Sequence, residues 1–157
     1  MILEIARREV ITAKADNTIR EIAELMDHYN VGSVVIVHNG KPVGIVTDRD
    51  LALSLLKDGP EEQAIPQLKV AEIMTRTLHT ILEEEGITRA LELMRSAGVR
   101  RLPVVDHKGK LRGLVTLDDV LEAFGHKMET IAKLVRQQQR SPRRAAVEKS
   151  PEFAIRG

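Results

Sequence analysis

The chain contains two copies of one sequence unit. Residues 18–51 match residues 86–120 at an offset of 68 positions, which becomes 69 after a turn near the middle of each copy. A turn is where an inserted residue costs least. Identical pairs include Leu25/Leu93, Met26/Met94, Val31/Val99, Gly44/Gly113, Thr47/Thr116 and Asp50/Asp119. Because the period is too long for a solenoid repeat, the pattern indicates a duplicated domain.

Each copy predicts the element order βαββα. Apolar residues at helical spacing begin at Ile19 and Ile87, and Thr18 with Glu21 supplies a capping box for the first of these helices. Two β-branched runs follow, joined in the first copy by Asn39-Gly40, which favours a hairpin. We expect strands at 34–37, 43–46, 102–105 and 111–115, second helices at 48–57 and 117–125, short strands near 10–12 and 78–80, and short leading helices at 2–7 and 70–74.

The predicted fold class is α+β, with tandem βαββα repeats packed about an approximate two-fold axis. One copy alone has too small a core, and its nearly all-apolar strands imply burial on both faces. We expect a first repeat at 1–57, a linker at 58–68, a second repeat at 69–126, a C-terminal helix at 127–140 and a flexible basic tail at 141–157. Such a pair has two equivalent clefts, where function is to be sought.

Composition excludes several classes of function. Aromatic residues make up 2% of the chain, which argues against nucleic-acid binding through stacked rings and places any ligand base against aliphatic side chains. Cysteine is absent, which fits a reducing compartment, and we expect a cytoplasmic protein. No apolar run approaches the ~18 residues of a membrane span. The last 32 residues carry eight Lys/Arg against three Asp/Glu.

The best matched stretch lies where a strand passes into a helix. Thr47 and Asp50 in the first copy correspond to Thr116 and Asp119 in the second. One interpretation is an aspartate variant of the capping box. The other is a ligand site, in which the helix N-terminus and the Thr hydroxyl bind phosphate and the carboxylate accepts hydrogen bonds from a ribose diol. The glycine three residues before each Thr would leave room for the ligand.

These residues resemble a cystathionine-β-synthase-type (CBS) domain pair, or Bateman module. The resemblance covers roughly residues 2–127 and rests on two Gly-x-x-Thr-x-x-Asp junctions in register and on the segment Val99-Arg-Arg-Leu-Pro-Val-Val-Asp106. It implies a non-catalytic sensor that binds AMP, ADP, ATP or S-adenosylmethionine as a regulatory ligand, with no other cofactor and no metal. It also implies a homodimer, for which the exposed helices at 51–56 and 121–124 are candidate contacts, and an unidentified protein partner.

The resemblance also implies which residues form each cleft. One cleft would combine Thr116 and Asp119 with Ile11, Val31 and Gly32. The other would combine Thr47 and Asp50 with His79, Val99 and Arg100, and Arg100 and Arg101 could reach phosphates because a guanidinium binds them bidentately. The first repeat has Gly32-Ser33 where the family often has a basic residue and proline, so the two sites should differ. We expect the Asp119 cleft to be slightly preferred because Gly32 leaves space for a base.

Three alternatives stay open at this point. An enzyme lacks support because no Cys is present and no residue completes a triad with His79. A structural or partner-binding module with empty clefts would need only the capping interpretation. The third alternative is nucleic-acid contact through the basic C-terminal region, although such a run of charged residues is usually a solvated chain end. Its basic residues are Lys133, Arg136, Arg140, Arg143 and Arg144.

Overall fold

The computed structural model describes residues 1–57 and 67–140 and contains two three-stranded sheets of the same topology. The strands are β1 Thr12–Ala13, β2 Ser33–His38, β3 Lys41–Thr47, β4 Ile81–Leu82, β5 Arg101–Val105 and β6 Leu111–Thr116. The helices are α1 Ile19–Tyr29, α2 Asp48–Lys57, α3 Ile87–Ala97 and α4 Leu117–Arg140. In each sheet the middle strand pairs parallel with the first strand and antiparallel with the third. The expected βαββα order therefore occurs twice.

Local sequence signals set where α1 and α3 begin and end. The Thr18 hydroxyl accepts the Glu21 N–H at 3.2 Å, and the Glu21 carboxylate accepts the Thr18 N–H at 2.7 Å, which completes the predicted capping box. Hydrogen bonds from the Asn17 side chain and the Thr18 backbone lower the pKa of Glu21. No side chain caps the start of α3 at Gly86. Both helices end at a left-handed residue, Asn30 or Gly98.

The two hairpins differ by the one inserted residue. Asn39 and Gly40 both have positive φ, 51° and 77°, as a two-residue turn of type I′ requires. In the longer second turn the Asp106 carboxylate accepts the backbone N–H groups of Lys108 and Lys110, both at 2.9 Å. These hydrogen bonds lower the pKa of Asp106, and the one from the Lys110 N–H has the largest effect. Gly109 then supplies the positive φ of 75°.

The middle strands are buried on both faces, but not every strand is. Val34, Val35 and Ile36 in β2 are fully buried, whereas β3 alternates and exposes Val43. The difference follows from the topology, because β2 has a strand on each side and β3 follows it at the sheet edge. Within the described residues no helix is long and apolar enough to cross a membrane.

Each repeat is completed by the short segment that precedes the other repeat. Val70, in a 3₁₀ turn at Val70–Glu72, is fully buried in the core of the first repeat, and its N–H donates to the Asn17 carbonyl at 2.8 Å. Ile2, in the matching turn at Ile2–Glu4, is also fully buried, and its N–H donates to the Glu85 carbonyl in the second repeat at 2.6 Å. We call residues 2–7 and 70–75 the leader segments. Their exchange makes the two repeats depend on each other for a complete core.

Several predicted boundaries were wrong. The short strands lie at 12–13 and 81–82 instead of 10–12 and 78–80, and each leader contains one 3₁₀ turn instead of a helix. The helix expected at 117–125 and the separate C-terminal helix are one helix of 24 residues, because a single glycine does not interrupt a strong helical pattern. Residues 58–66 of the predicted linker and the tail at 141–157 lie outside the described residues. Among the described residues, those up to Asp119 form one compact unit and residues 120–140 belong to another.

We predict opposite effects of alanine at two glycines. A Cβ at Gly44 would overlap the Met74 sulfur and lie 3.2 Å from the Thr75 carbonyl oxygen, whereas one at Gly125 would meet nothing within 4 Å. Gly44→Ala should therefore lower the free energy of unfolding by about 1–3 kcal/mol. Gly125→Ala should raise it by about 0.5–1 kcal/mol through helix propensity. Urea denaturation measures both, and an unchanged midpoint for Gly44→Ala would contradict the leader exchange.

Candidate functional site

The two Thr-x-x-Asp motifs form the same set of hydrogen bonds. In the first, Asp50 Oδ2 accepts the Thr47 N–H at 2.8 Å and the Thr47 hydroxyl at 2.9 Å, and the Thr47 Oγ1 accepts the Asp50 N–H at 3.2 Å. In the second, the corresponding distances between Thr116 and Asp119 are 2.8, 2.6 and 3.2 Å. The capping geometry is therefore present at both strand-to-helix junctions, and it fixes the orientation of both carboxylates.

Capping occupies only one oxygen of each carboxylate. Within residues 1–57 and 67–140, no donor lies within hydrogen-bonding distance of Asp50 Oδ1, and the side chain is partly exposed. Asp119 Oδ1 accepts a hydrogen bond from Arg7 Nε at 3.2 Å. Since each carboxylate oxygen has two acceptor positions, Asp50 Oδ1 keeps both and Asp119 Oδ1 keeps one. The two motifs differ at the atom that would face a ligand.

The donors expected to bind phosphate are largely engaged already. Each Thr hydroxyl donates to the Asp of its own motif. At the start of α2 the Asp48 N–H donates to the Gly32 carbonyl at 3.2 Å, and the Arg49 N–H donates to the Asp48 side chain at 2.8 Å. At the start of α4 the Leu117 N–H donates to the Arg100 carbonyl at 2.8 Å. The junctions therefore offer a ligand mainly a carboxylate acceptor in a fixed orientation, because most of their hydrogen-bond donors are already engaged.

The glycines before the motifs make room for protein backbone. The face of Gly44 is filled by Met74 and Thr75, and that of Gly113 by Leu3, Ala6 and the Arg7 carbonyl. The expectation that these glycines leave space for a ligand was wrong. Each permits the leader segment of the other repeat to lie against the edge strand.

Arg7 is a residue at this site that sequence reasoning missed. Its backbone pairs antiparallel with Leu114 in β6, two residues before Thr116, just as Thr75 pairs with Ile45 in β3, two residues before Thr47. The 68-residue offset of the repeat also pairs Arg7 with Thr75, so extending the alignment into the leaders would have shown the difference. Arginine at one position and threonine at the other makes the two junctions unequal in charge.

Some of the remaining predicted residues lie close to the motif of their own repeat. The Gly32 carbonyl contacts the start of α2, as described above, and Ser33, after Val31 and Gly32, pairs with Thr47 across β2 and β3. Arg101 pairs in the same way with Thr116. Ile11 and Val31 are half-buried against the first core. Among the described residues, no hydrogen bond or ion pair joins these groups to the motif of the opposite repeat, so the grouping across repeats stays a prediction.

The predicted basic residues differ in exposure. Arg100 and His79 are exposed. Arg101 is half-buried, and its Nε is buried with no described residue within hydrogen-bonding distance. Val99, between Gly98 and Arg100, is half-buried and donates its N–H to the Met94 carbonyl at 3.0 Å. These arginines lie at the entry to β5, where they can supply positive charge.

An open groove of about 460 Å³ elsewhere contains none of the predicted site residues. It runs along α1 and is lined by Asn17, Glu21, Glu24, Leu25, His28 and Tyr29. Its two carboxylates disfavour a phosphate-bearing ligand.

We predict that Asp119 contributes more to stability than Asp50. Each alanine variant loses a helix cap, which costs about 1 kcal/mol. Asp119→Ala also loses the Arg7 ion pair, which adds about 0.5–1 kcal/mol because the Arg7 side chain is 67% exposed. Denaturation of both variants with and without Arg7→Ala measures this coupling. A difference that persists without Arg7 would contradict the assignment.

Comparisons with known proteins agree with this architecture. The family model of the CBS domain matches residues 2–57 and 70–126. The chain is 39% identical over 129 residues to the uncharacterized protein MK0525 of Methanopyrus kandleri, covering 82% of this chain and 64% of that protein. It is 34% identical over 120 residues to inosine-5'-monophosphate dehydrogenase of Methanocaldococcus jannaschii, covering 76% of this chain and 22% of the enzyme.

A solved structure is similar over nearly its whole length. The CBS domain pair of protein MJ0100, in complex with 5'-methylthioadenosine and S-adenosyl-L-methionine, superposes with a TM-score of 0.71 at 30% identity, covering 81% of this chain and 97% of that one. Together with two matches to the family model, one on each repeat, this similarity shows that the chain belongs to the CBS domain family and folds as a CBS domain pair.

Proposed function

We propose that this chain is a non-catalytic regulatory module whose ligand is an adenine nucleotide or S-adenosylmethionine. The observation that carries the proposal is the state of Asp50: Oδ2 is held by the cap, while Oδ1 has no donor among the described residues. This carboxylate is held in one orientation, and one of its oxygens has no hydrogen-bond donor among the described residues. It is therefore suited to accept hydrogen bonds from both hydroxyl groups of a ribose. The Asp50 side chain would then both cap helix α2 and bind the ligand.

Aliphatic side chains would contact the base. Ile11, Val31 and Val99 are half-buried apolar residues, and the chain has few aromatic rings with which to stack a base. The ligands of the MJ0100 structure, 5'-methylthioadenosine and S-adenosyl-L-methionine, share an adenosine group. This similarity supports an adenosine-containing ligand, and Arg7, Arg100 and Arg101 could bind the phosphates of AMP, ADP or ATP.

We infer that the Asp50 site binds the ligand more tightly than the Asp119 site. At Asp119 a ribose must share Oδ1 with Arg7 or displace it, whereas Asp50 Oδ1 has both acceptor positions open. This reverses the expected preference for the Asp119 cleft, which was based on space for a base beside Gly32. That space is limited, because a Cβ at Gly32 would lie 3.3 Å from the Asp48 carboxylate. Arg7 in turn brings positive charge to the Asp119 site, where Gly32-Ser33 provides none.

The signal would be a change in shape or association. A ligand that contacts both repeats would favour one arrangement of them, and a partner that prefers this arrangement would respond. We include a homodimer and an unidentified protein partner in the proposal, with the exposed helices at 51–56 and 121–124 as contacts. A cytoplasmic location fits the absence of cysteine from the sequence.

A structural module without a ligand is the second candidate. The specific observation in its favour is that in both motifs the Thr and the Asp complete the capping hydrogen bonds with each other. Titration calorimetry with AMP, ATP and S-adenosylmethionine distinguishes the two candidates, since the structural module predicts no heat with any of them.

We predict that Asp50→Ala weakens binding of the adenine ligand by about 1.5–3 kcal/mol, which is the loss of hydrogen bonds to a charged acceptor. Titration calorimetry should show a roughly 10- to 100-fold rise in Kd. Asp119→Ala should have a comparable effect on the second site where that site is occupied.

The matched control is Asp27→Ala, which removes an exposed carboxylate from α1 outside both motifs. It should leave the affinity unchanged. Circular dichroism must show that each variant keeps its helix content after losing a cap. Wild-type affinity in folded Asp50→Ala and Asp119→Ala variants would refute the assignment of the site.

A further inference from the structure

Arg7 uses only part of its guanidinium in its contact with Asp119. The Nε–H donates to Asp119 Oδ1 at 3.2 Å, and this is the one side-chain hydrogen bond that Arg7 makes among the described residues. A guanidinium carries five N–H groups, and the edge formed by its two Nη atoms can bind a phosphate bidentately. Because the Arg7 side chain is 67% exposed, a ligand can reach this edge while Nε stays on Asp119.

The same contact leaves Asp119 able to accept a ribose hydroxyl. The Thr116 cap holds Oδ2, and Oδ1 keeps one acceptor position beside the Arg7 Nε–H. The guanidinium therefore lies next to the oxygen that a ribose would contact. Since the 5'-phosphate of a nucleotide is attached to that ribose, one ligand can bind Asp119 through its sugar and Arg7 through its phosphate.

The Asp50 site has no matching arginine. The leader residue in the position of Arg7 is Thr75, whose backbone pairs with the edge strand of its partner repeat in the same way. Arg49 precedes Asp50, but successive helix residues point about 100° apart, and among the described residues Arg49 forms no ion pair with Asp50. The first turns of α2 and α4 each contain two aspartates, so acidic residues do not distinguish the sites. The leader residue does.

We propose that Arg7 makes the Asp119 site selective for phosphate-bearing adenine ligands, whereas the Asp50 site does not distinguish them from the uncharged nucleoside. This inference rests on the proposed function and assigns a ligand class to each motif. Without a phosphate, Asp50 stays the better ribose acceptor, because Arg7 occupies one position on Asp119 Oδ1. With a phosphate, the ion pair between the ligand and Arg7 offsets that disadvantage. One motif then responds to the adenosine group and the other to its phosphorylation.

Adenosine and AMP are the matched probes, because they differ only by the phosphate. Titrations that follow the backbone amide resonances of Thr47 and Asp50, and separately those of Thr116 and Asp119, give a dissociation constant for each motif. We expect AMP to bind the Asp119 motif about tenfold more tightly than adenosine does, as for hydrogen bonds between charged groups. At the Asp50 motif the two dissociation constants should be about equal.

Three variants test whether the preference comes from Arg7. Arg7→Ala keeps the backbone pairing of the leader and should bring the ratio of the two dissociation constants at Asp119 to about one, whereas a purely structural role would weaken both ligands alike. Arg8→Ala is the matched control, because it removes the same charge from the neighbouring exposed side chain, and it should keep the wild-type ratio. Thr75→Arg, at an exposed position, should create a preference for AMP at the Asp50 motif.

Circular dichroism checks that each variant is folded. An Arg7→Ala variant that keeps the preference for AMP at Asp119, or a folded Thr75→Arg variant that gains none at Asp50, would overturn the proposal. Binding of both probes with the same ratio at the two wild-type motifs would refute the phosphate selectivity alone. If neither adenosine nor AMP shifts the amides of either motif, the adenine ligand of the proposed function is refuted as well.

Discussion

Two reciprocal backbone pairs, Arg7 with Leu114 and Thr75 with Ile45, hold each leader segment against the edge strand of the opposite repeat. The rest of the architecture depends on this exchange. Val70 enters the first core and Ile2 is buried by the second repeat, so neither three-stranded sheet has a complete core from its own sequence unit alone. The two repeats are thereby joined by main-chain hydrogen bonds.

The exchange also determines how the two candidate sites differ. Both Thr-x-x-Asp motifs have the same capping geometry, and each leader runs past the strand that ends in one of them. The leader of the first repeat brings Arg7 to Asp119, and the leader of the second brings Thr75 to the equivalent position near Asp50. One duplicated motif thus becomes one carboxylate that contacts Arg7 and one that does not, and our proposal of unequal ligand affinity at the two motifs rests on this difference.

Much of this could be predicted from the sequence because the signals are local. The capping box at Thr18, the Asn39-Gly40 turn and the two strand-to-helix junctions each depend on residues within a few positions of one another. The leader exchange could not be predicted in the same way, since Val70 reads as an ordinary apolar residue of its own repeat. Gly44 was assigned to ligand space for the same reason, although a distant segment fills that space. Arg7 was missed because the alignment of the two copies began at residue 18 and did not extend into the leader segments.

In the proposed function, a carboxylate already held by a helix cap also accepts hydrogen bonds from a ribose diol. Comparing AMP with 2'-deoxy-AMP, by following the backbone amide resonances of the chain in solution, tests this second role of the carboxylate most closely. AMP should shift the amide resonances of Thr47 and Asp50, and 2'-deoxy-AMP should bind about tenfold more weakly, as expected for one lost hydrogen bond to a charged group. Equal affinity for AMP and 2'-deoxy-AMP, or amide shifts confined to residues outside both Thr-x-x-Asp motifs, would rule this role out.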